Sequence, residues 1–450
     1  MSDKDPNDRL SKSRQRAVPS GRLSRLSGFG RLAGGVAGGM LAEGARRLAR
    51  GEIPKVEDML LTPGNAMRLA DRLAHLRGAA MKLGQMISMD AGDMLPAELT
   101  DILASLRDRA NFMPARQLDG VLKEQWGPEW RKQFKWFNPR PIAAASIGQV
   151  HKAMTRDGQE LAIKVQYPGV ADSIDSDVDN VATLLRVSGL LPEELDISGL
   201  LAAAKEQLKE EADYVREGEQ MQLYAERLSG EKGFVVPTLH PELTRKHILA
   251  MSFESGVPIE SLTEEPQELR NSVFERFMKL VLRELFEFGV MQTDPNFANF
   301  QYRPETGEIV LLDFGATRAV SDDIQNGYRK LLGAGLAGDK DQLVKEAIAA
   351  DFMNPKALER HPERVDAMIE IIVGKMNVDG DFDFGDRSFV PLLRDEGMAI
   401  AEDKQSWHLP PPDTLFVQRK VSGTAMLGAR LEAVLNVRAI VESALAGKLK

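Results

Sequence analysis

Gln292-Thr293-Asp294-Pro295-Asn296-Phe297-Ala298-Asn299 is followed by the apolar run Ile309 to Leu312 and then by Asp313-Phe314-Gly315. These residues decide the fold. An acid, an Asn five positions on and a second Asp beyond a short hairpin form the spacing that kinase-type phosphoryl transfer uses. The Asn299 carboxamide and the Asp313 carboxylate are hard oxygen donors suited to Mg²⁺, and Asp294 is the candidate group beside a reacting water or hydroxyl. Pro304-Glu305-Thr306-Gly307 is a turn signal between two short apolar runs, so a hairpin would bring both metal donors to one end of a small sheet. Asp-Phe-Gly alone is common in surface turns; the combined spacing carries the expectation.

A phosphate-holding half is expected upstream. Leu161-Ala162-Ile163-Lys164-Val165 is a strand-like apolar run interrupted by one cation, preceded by the turn Asp157-Gly158 and by a second β-prone run, Gln149 to Met154. A lysine emerging from such a strand suits the α and β phosphates of a nucleotide; an edge-strand lysine that blocks aggregation is the alternative. Before this hairpin, Ala143-Ala144-Ala145-Ser146-Ile147-Gly148-Gln149 occupies the place of a glycine-rich phosphate cover but holds one glycine. Alanine permits close backbone approach without positive φ, so the loop should be stiffer and offer phosphates a different set of amides. A small-residue packing turn is the other reading.

Leu200 to Arg227 reads as one helix, with Leu201, Ala204, Leu208, Ala212 and Val215 at three- and four-residue steps. Asp213 and Glu217 share a face, while Glu211 projects nearly opposite Asp213. Glu217 is the favoured partner of Lys164, against the alternative of a solvated acidic face. Ile248 to Phe253 reads as a strand leading to an inter-lobe hinge, with adenine docking against its backbone at Met251 and Phe253, against the alternative of a buried strand with no ligand. Further upstream, Leu69, Leu73, Leu76, Ala80 and Leu83 mark a helix carrying Lys82-Leu83-Gly84-Gln85. Lys82 and Gln85 are three apart on one face, and Gly84, about 1 kcal/mol worse than alanine in a helix, suggests close backbone packing.

With these residues in view, the chain closely resembles the UbiB (AarF) family of atypical kinase-like proteins of coenzyme Q biosynthesis, and the resemblance spans most of its length. Its marks here are Lys82, Gly84 and Gln85 of a K-x-G-Q signature, Ala143 to Ser146 of an alanine-rich loop, Lys164, Glu211 and Asp213 of an E-x-D signature, and Asp294, Asn299 and Asp313. The segment Gln-Thr-Asp-Pro-Asn is similar to the branch containing the mitochondrial proteins and their bacterial relatives. The resemblance implies an α+β, two-lobed protein-kinase-like fold that binds ATP or ADP with Mg²⁺. It also implies that the K-x-G-Q helix covers the place where an ordinary kinase receives a peptide, with Lys82 near Glu211 and Gln85 near the phosphates.

One feature of the sequence agrees independently. Only Ala316 to Val320 separate Gly315 from Ser321, a candidate N-cap, which leaves little room for the long activation segment of protein-directed kinases. ATP hydrolysis, or phosphorylation of a small or lipidic molecule, fits better than peptide phosphorylation. A true protein kinase and a nucleotide-gated scaffold without turnover are the alternatives. Gln292 and Thr293 replace the His and Arg that usually precede the catalytic-loop acid, so Asp294 is read either as the proton acceptor or as a cap or metal-shell residue.

The 450 residues, 43% of them hydrophobic, accommodate two lobes plus extensions. The expected organisation is a basic arm at 1–52, a helical extension at 53–130 with breaks at Pro114 and Trp126-Gly127-Pro128, a small nucleotide-binding lobe at 131–252 and a mostly helical large lobe at 253–450. Beyond Glu264 helical patterns are expected to dominate, including Val273 to Phe288 and Asp323 to Leu336, and Pro410-Pro411-Pro412 divides the last part. The Arg419-Lys420-Val421-Ser422-Gly423 stretch within Leu415 to Leu435 also resembles the family.

With no cysteine, disulfides and cysteine–zinc sites are excluded, and the six histidines show no metal-ligand spacing. Residues 1–50 hold eleven Lys/Arg against four Asp/Glu, which leaves the rest at about −16 within a formal charge of −9. The arm runs into Leu32 to Ala42, eleven apolar residues with small residues at four-residue spacing, too short to span a bilayer. Attachment to an anionic membrane surface with glycine-mediated homodimerisation is one reading and a disordered tail is the other. The expected setting is cytoplasmic and peripheral on a bacterial inner membrane, or the mitochondrial inner-membrane surface in a eukaryote. Other expected partners are biosynthetic proteins or lipid intermediates of the ubiquinone pathway, with no nucleic acid.

Overall fold

The computed structural model describes residues 78, 79, 82, 112–187, 198–378, 380–401, 403, 406 and 410–449. The basic arm, its glycine-spaced run, and most of the expected helical extension, Gln85 included, lie outside the described residues. The chain forms two compact units: one comprises the described residues up to Glu219 with Thr238–Phe253, the other Gln220–Pro237 with Glu254–Lys450. The expected division near residue 252 therefore differs in one segment. Gln220–Pro237 belongs with the later unit because its strand pairs there.

In the first unit, α1 (Ala115–Trp126) begins after Pro114 and stops at Gly127, whose φ of 85° favours glycine. Its buried Leu118, Val121 and Leu122 recur at helical spacing and pack on a sheet. The strands are β1 (Phe134–Phe137), β2 (Ala143–Ala144), β3 (Gly148–Thr155) and β4 (Glu160–Gln166), joined, after β5 (Phe234–Val235), by β6 (Ile248–Ser252). The order is β1-β3-β4-β6, antiparallel throughout, with β2 also bonded to β3. Leu161, Ile163 and Val165 of β4 enter a core with Met113, Leu122, Trp130 and Ile248. The two-residue period of a strand then puts Lys164 on the opposite face, yet it is buried there too.

Three helices follow β4: α2 (Val170–Val187), α3 (Ser198–Glu211) and α4 (Tyr214–Arg227). The single helix expected over Leu200 to Arg227 is thus two helices. Asp213 makes the break: its Oδ1 accepts from the Arg216 amide at 3.0 Å, an N-cap bond that outcompetes helix continuation. The helical phase resets, and Val215, expected on the apolar face, is exposed.

The second unit includes β5, β7 (Val257–Pro258), α5 (Gln267–Arg283), β8 (Val290–Gln292), β9 (Phe300–Arg303), β10 (Glu308–Leu311) and β11 (Thr317–Ala319). The helix expected at Val273 starts earlier, behind Pro266, and its last turn widens into a π-helical turn, Glu284–Phe288, closed by Gly289. The sheet order is β5-β10-β9-β7, with β10 antiparallel to β9 as the Pro304–Gly307 turn requires and parallel to β5. β11 and β8 form a separate antiparallel pair with Thr317 opposite Gln292.

The helices α6 (Asp322–Ala337), α7 (Lys340–Ala349), α8 (Pro355–Arg360) and α9 (Pro362–Met376) come next, and Ala334, Leu343, Val365, Ile369 and Val373 share a core. Ser321 caps α6 as its side chain accepts from the Ile324 amide. After β12 (Phe382–Asp383) come α10 (Val390–Ala401), α11 (Pro412–Arg430), β13 (Val434–Leu435) and α12 (Val437–Leu445). α11 ends at Arg430, and Val434–Leu435 pairs with β12. Among the described residues, no helix is long and apolar enough to cross a membrane.

Candidate active site

In the first unit, the Lys164 ammonium donates to both Glu217 carboxylate oxygens, at 2.8 and 3.0 Å. Lys164 is 7% exposed and Glu217 1%, so neither charge is solvated. The Tyr214 ring lies 5.2 Å from the same ammonium. Burying such a pair is costly unless both partners are present, which makes ordinary edge protection a poor account of Lys164.

Glu211, the last residue of α3, faces elsewhere. Its carboxylate meets the Lys82 ammonium at 2.5 Å and accepts from the Ser146 hydroxyl at 2.6 Å. One acid therefore ties Lys82 to the alanine-rich loop. Gly78 adds to this: a Cβ there would stand 3.0 Å from the Ser146 carbonyl and from the Ile147 side chain. Within the loop, Ala143 and Ala144 are exposed and pair with β3, while Ala145 donates its amide to Gly148 at 2.9 Å. Gly148 is indispensable to this geometry, since a Cβ would lie 2.5 Å from the Val165 carbonyl and 2.9 Å from the Tyr214 hydroxyl. Asp213 is exposed and serves as the cap of α4. On β6, Met251 is buried, and the Phe253 amide bonds the Glu160 carbonyl at 2.9 Å with the Lys152 ammonium over its ring.

In the second unit, one hairpin collects the acids. The Asn299 amide donates to Asp294 Oδ2 at 3.2 Å, and Asp294 Oδ1 accepts from the Asn296 amide at 3.4 Å. The Asn299 carbonyl accepts from Leu312, the residue before Asp313, at 2.9 Å, so strand pairing between β9 and β10 fixes the metal candidates relative to each other. Asp313 Oδ1 accepts from the Gly315 amide at 3.0 Å, which curls the Asp-Phe-Gly turn on itself. Phe314 is buried with its ring 5.1 Å from that of Tyr224. With the Asn299 Nδ2 engaged, its oxygen and the Asp313 carboxylate form a hard donor set that fits Mg²⁺. No cluster of three or more His, Cys, Asp or Glu suited to a metal occurs among the described residues. The stretch after Gly315 is spent on β11, confirming how short this segment is.

Residues 105–347 match the ABC1 atypical kinase-like domain. The chain belongs to the ABC1 atypical kinase-like family. This ABC1-family chain is 36% identical over 438 residues to the mitochondrial atypical kinase COQ8 of Saccharomyces cerevisiae, covering 96% of this chain and 86% of that protein. It is also 36% identical over 438 residues to the mitochondrial atypical kinase COQ8B of Rattus norvegicus, covering 97% and 83%. A Mycobacterium tuberculosis protein solved with erythromycin shares the fold, with a TM-score of 0.60 at 24% identity over 84% of this chain and 95% of that one. The expected family and the α+β kinase-like class both hold, and a nucleotide-binding kinase-like function follows from them.

The ABC1-family chain holds a second buried charge cluster that motif reading missed. Lys420 of α11, 1% exposed, donates to the Gln292 side chain at 3.0 Å and lies 3.9 Å from Glu284, which accepts from the Tyr224 hydroxyl at 2.7 Å. Burial lowers the Lys420 ammonium below the usual lysine range, against the opposing pull of Glu284 and Asp294. Burial likewise raises Glu284 above the usual carboxylate range, while Lys420 and Tyr224 act to lower it. The signals were present: Glu284 between the apolar runs Leu280 to Leu282 and Leu285-Phe286, and a lysine three residues before Gly423.

Proposed function

We propose that this chain is a Mg²⁺-dependent adenine-nucleotide-binding kinase or ATPase that supports coenzyme Q biosynthesis at a membrane surface and does not act on peptides. The observation that carries this is the hairpin holding Asp294, Asn299 and Asp313 together, a spacing ordinary surface turns do not need. Lys164 would hold the α and β phosphates, with Glu217 fixing its direction. The Ala143–Ser146 loop would cover the phosphates, and the Met251–Phe253 backbone would receive adenine. Asn299 and Asp313 would hold Mg²⁺, which when bound neutralises charge on the phosphates. Asp294 would orient the attacking water or hydroxyl and accept its proton.

Lys82 and Glu211, with Gln85 three residues after Lys82, would restrict access, which favours a small or lipidic acceptor. The paired β11 supports the same reading, since a peptide platform needs a longer segment there. The basic charge of residues 1–52 supports attachment to an anionic membrane, and the family resemblance supports the pathway. Phosphate release is measured from purified protein with and without anionic vesicles, with Asp294→Asn as control. Turnover that depends on Asp294 is expected. Nucleotide binding without release would favour a scaffold, and label transfer to a protein would favour a protein kinase. In parallel, Asp313→Asn should weaken Mg²⁺-dependent nucleotide binding, and unchanged metal dependence would remove Asp313 as a ligand.

A further inference from the structure

The catalytic-type segment lacks the basic residue that precedes the acid in protein kinases, since Thr293 stands there, and its hydroxyl bonds the Ala316 carbonyl at 2.8 Å. A cation nonetheless reaches the segment from below. Lys420 arrives from more than a hundred residues downstream, its ammonium flanked by the rings of Phe300 at 4.9 Å and Phe277 at 5.4 Å. Gln292 Oε1 is its hydrogen-bond acceptor, while the buried Gln292 Nε2 and Glu284 Oε2 have no hydrogen-bond partner. The ammonium is thus the polar tether of the Gln292 side chain. One turn later on the same helix, a Cβ at Gly423 would fall 2.3 Å from Pro295 Cβ, so α11 presses against the residue after Asp294.

We propose that Lys420 is the positioning residue of the Gln292–Asn299 segment, and that α11 is an obligatory internal brace for Asp294. A protein-directed kinase sets its catalytic loop through a basic residue that answers to the activation segment. Here the bracing cation is built into the fold, clamped between Gln292 and Glu284, so the segment is held without any modification event. The inference rests on the phosphoryl-transfer reading for its effect on turnover, but its effect on the segment's order does not.

The test uses the full chain carrying Lys420→Met together with Glu284→Gln, so that neither partner is left as a lone buried charge. Expected results are a folded protein with amide hydrogen exchange over Met291–Phe300 faster by at least about tenfold. The kcat for phosphate release should fall about 100-fold, the penalty of a small misplacement, with KM within about twofold. Gln292→Met should reproduce the kcat loss, and combining it with Lys420→Met should add little. A strut with only a structural role would shift the melting temperature and leave kcat of the folded protein intact. Parental exchange and parental kcat in the double variant overturn the proposal. If the parent releases no phosphate, the turnover reading fails while the exchange measurement still decides the brace.

Discussion

Replacing both members of the Lys164–Glu217 pair separates what the fold needs from what the site needs. Lys164→Met alone strands a carboxylate that is 1% exposed, and loss of one partner from a buried pair costs about 3–5 kcal/mol of stability. Adding Glu217→Leu removes the stranded charge. Because apolar replacement of a buried ion pair is commonly neutral or stabilising, the double variant should return to within about 1 kcal/mol of the parent. Nucleotide affinity should not return with it. A charge-assisted hydrogen bond contributes about 1.5–3 kcal/mol, so loss of one ammonium–phosphate contact weakens binding about 10- to 150-fold. Urea unfolding gives the first quantity, and calorimetric titration with ADP and Mg²⁺ gives the second. A double variant that is stable and binds ADP as tightly as the parent would refute a phosphate role for Lys164.

Three further outcomes are expected. Asp213→Ala removes the cap of α4 and should cost about 1 kcal/mol in urea unfolding while leaving ADP affinity unchanged; a large affinity loss would place Asp213 in the site instead. Gly423→Ala drives a methyl group into Pro295 and should destabilise by about 1–3 kcal/mol in thermal melts, so a neutral result would show that α11 yields freely. Burial lowers His151 to about 4, despite its hydrogen bond to the Asn138 carbonyl. The unfolded chain then binds the extra proton first, so stability is full above about pH 6.5 and declines by about 2 kcal/mol on going from pH 7 to pH 5. His151→Gln should flatten that decline, and an undiminished slope in the variant would assign it to other groups.

Elements set by local chemistry were legible in the sequence, such as the Pro304–Gly307 hairpin, the Ser321 cap, the stop at Gly127 and the apolar run of β4, buried on both faces. Glu217 was favoured as the Lys164 partner over a solvated acidic face, and the geometry brings the two together. Phase misled at Val215, because a cap at Asp213 restarts the count and periodicity read across the interruption blends two helices. The strand at Val434–Leu435 was hidden for a different reason: two residues make a strand only when a partner such as β12 is beside them. Lys420 was the larger omission. Its meaning depends on contacts with Gln292 and Glu284, both more than a hundred residues away, and no window-based pattern spans that distance.

The ladder between β8 and β11 bears on how this protein would respond to inhibitors. In protein kinases the packing of the Asp-Phe-Gly phenyl ring separates active from inactive forms, so a compound that expels the ring must displace the chain beside it. Here Ala316 already bonds Thr293, Thr317 is registered against Gln292, and Phe314 is wedged beside Tyr224. Evicting the ring would require unzipping that ladder. Drug design should favour molecules that accept the seated phenyl as a wall.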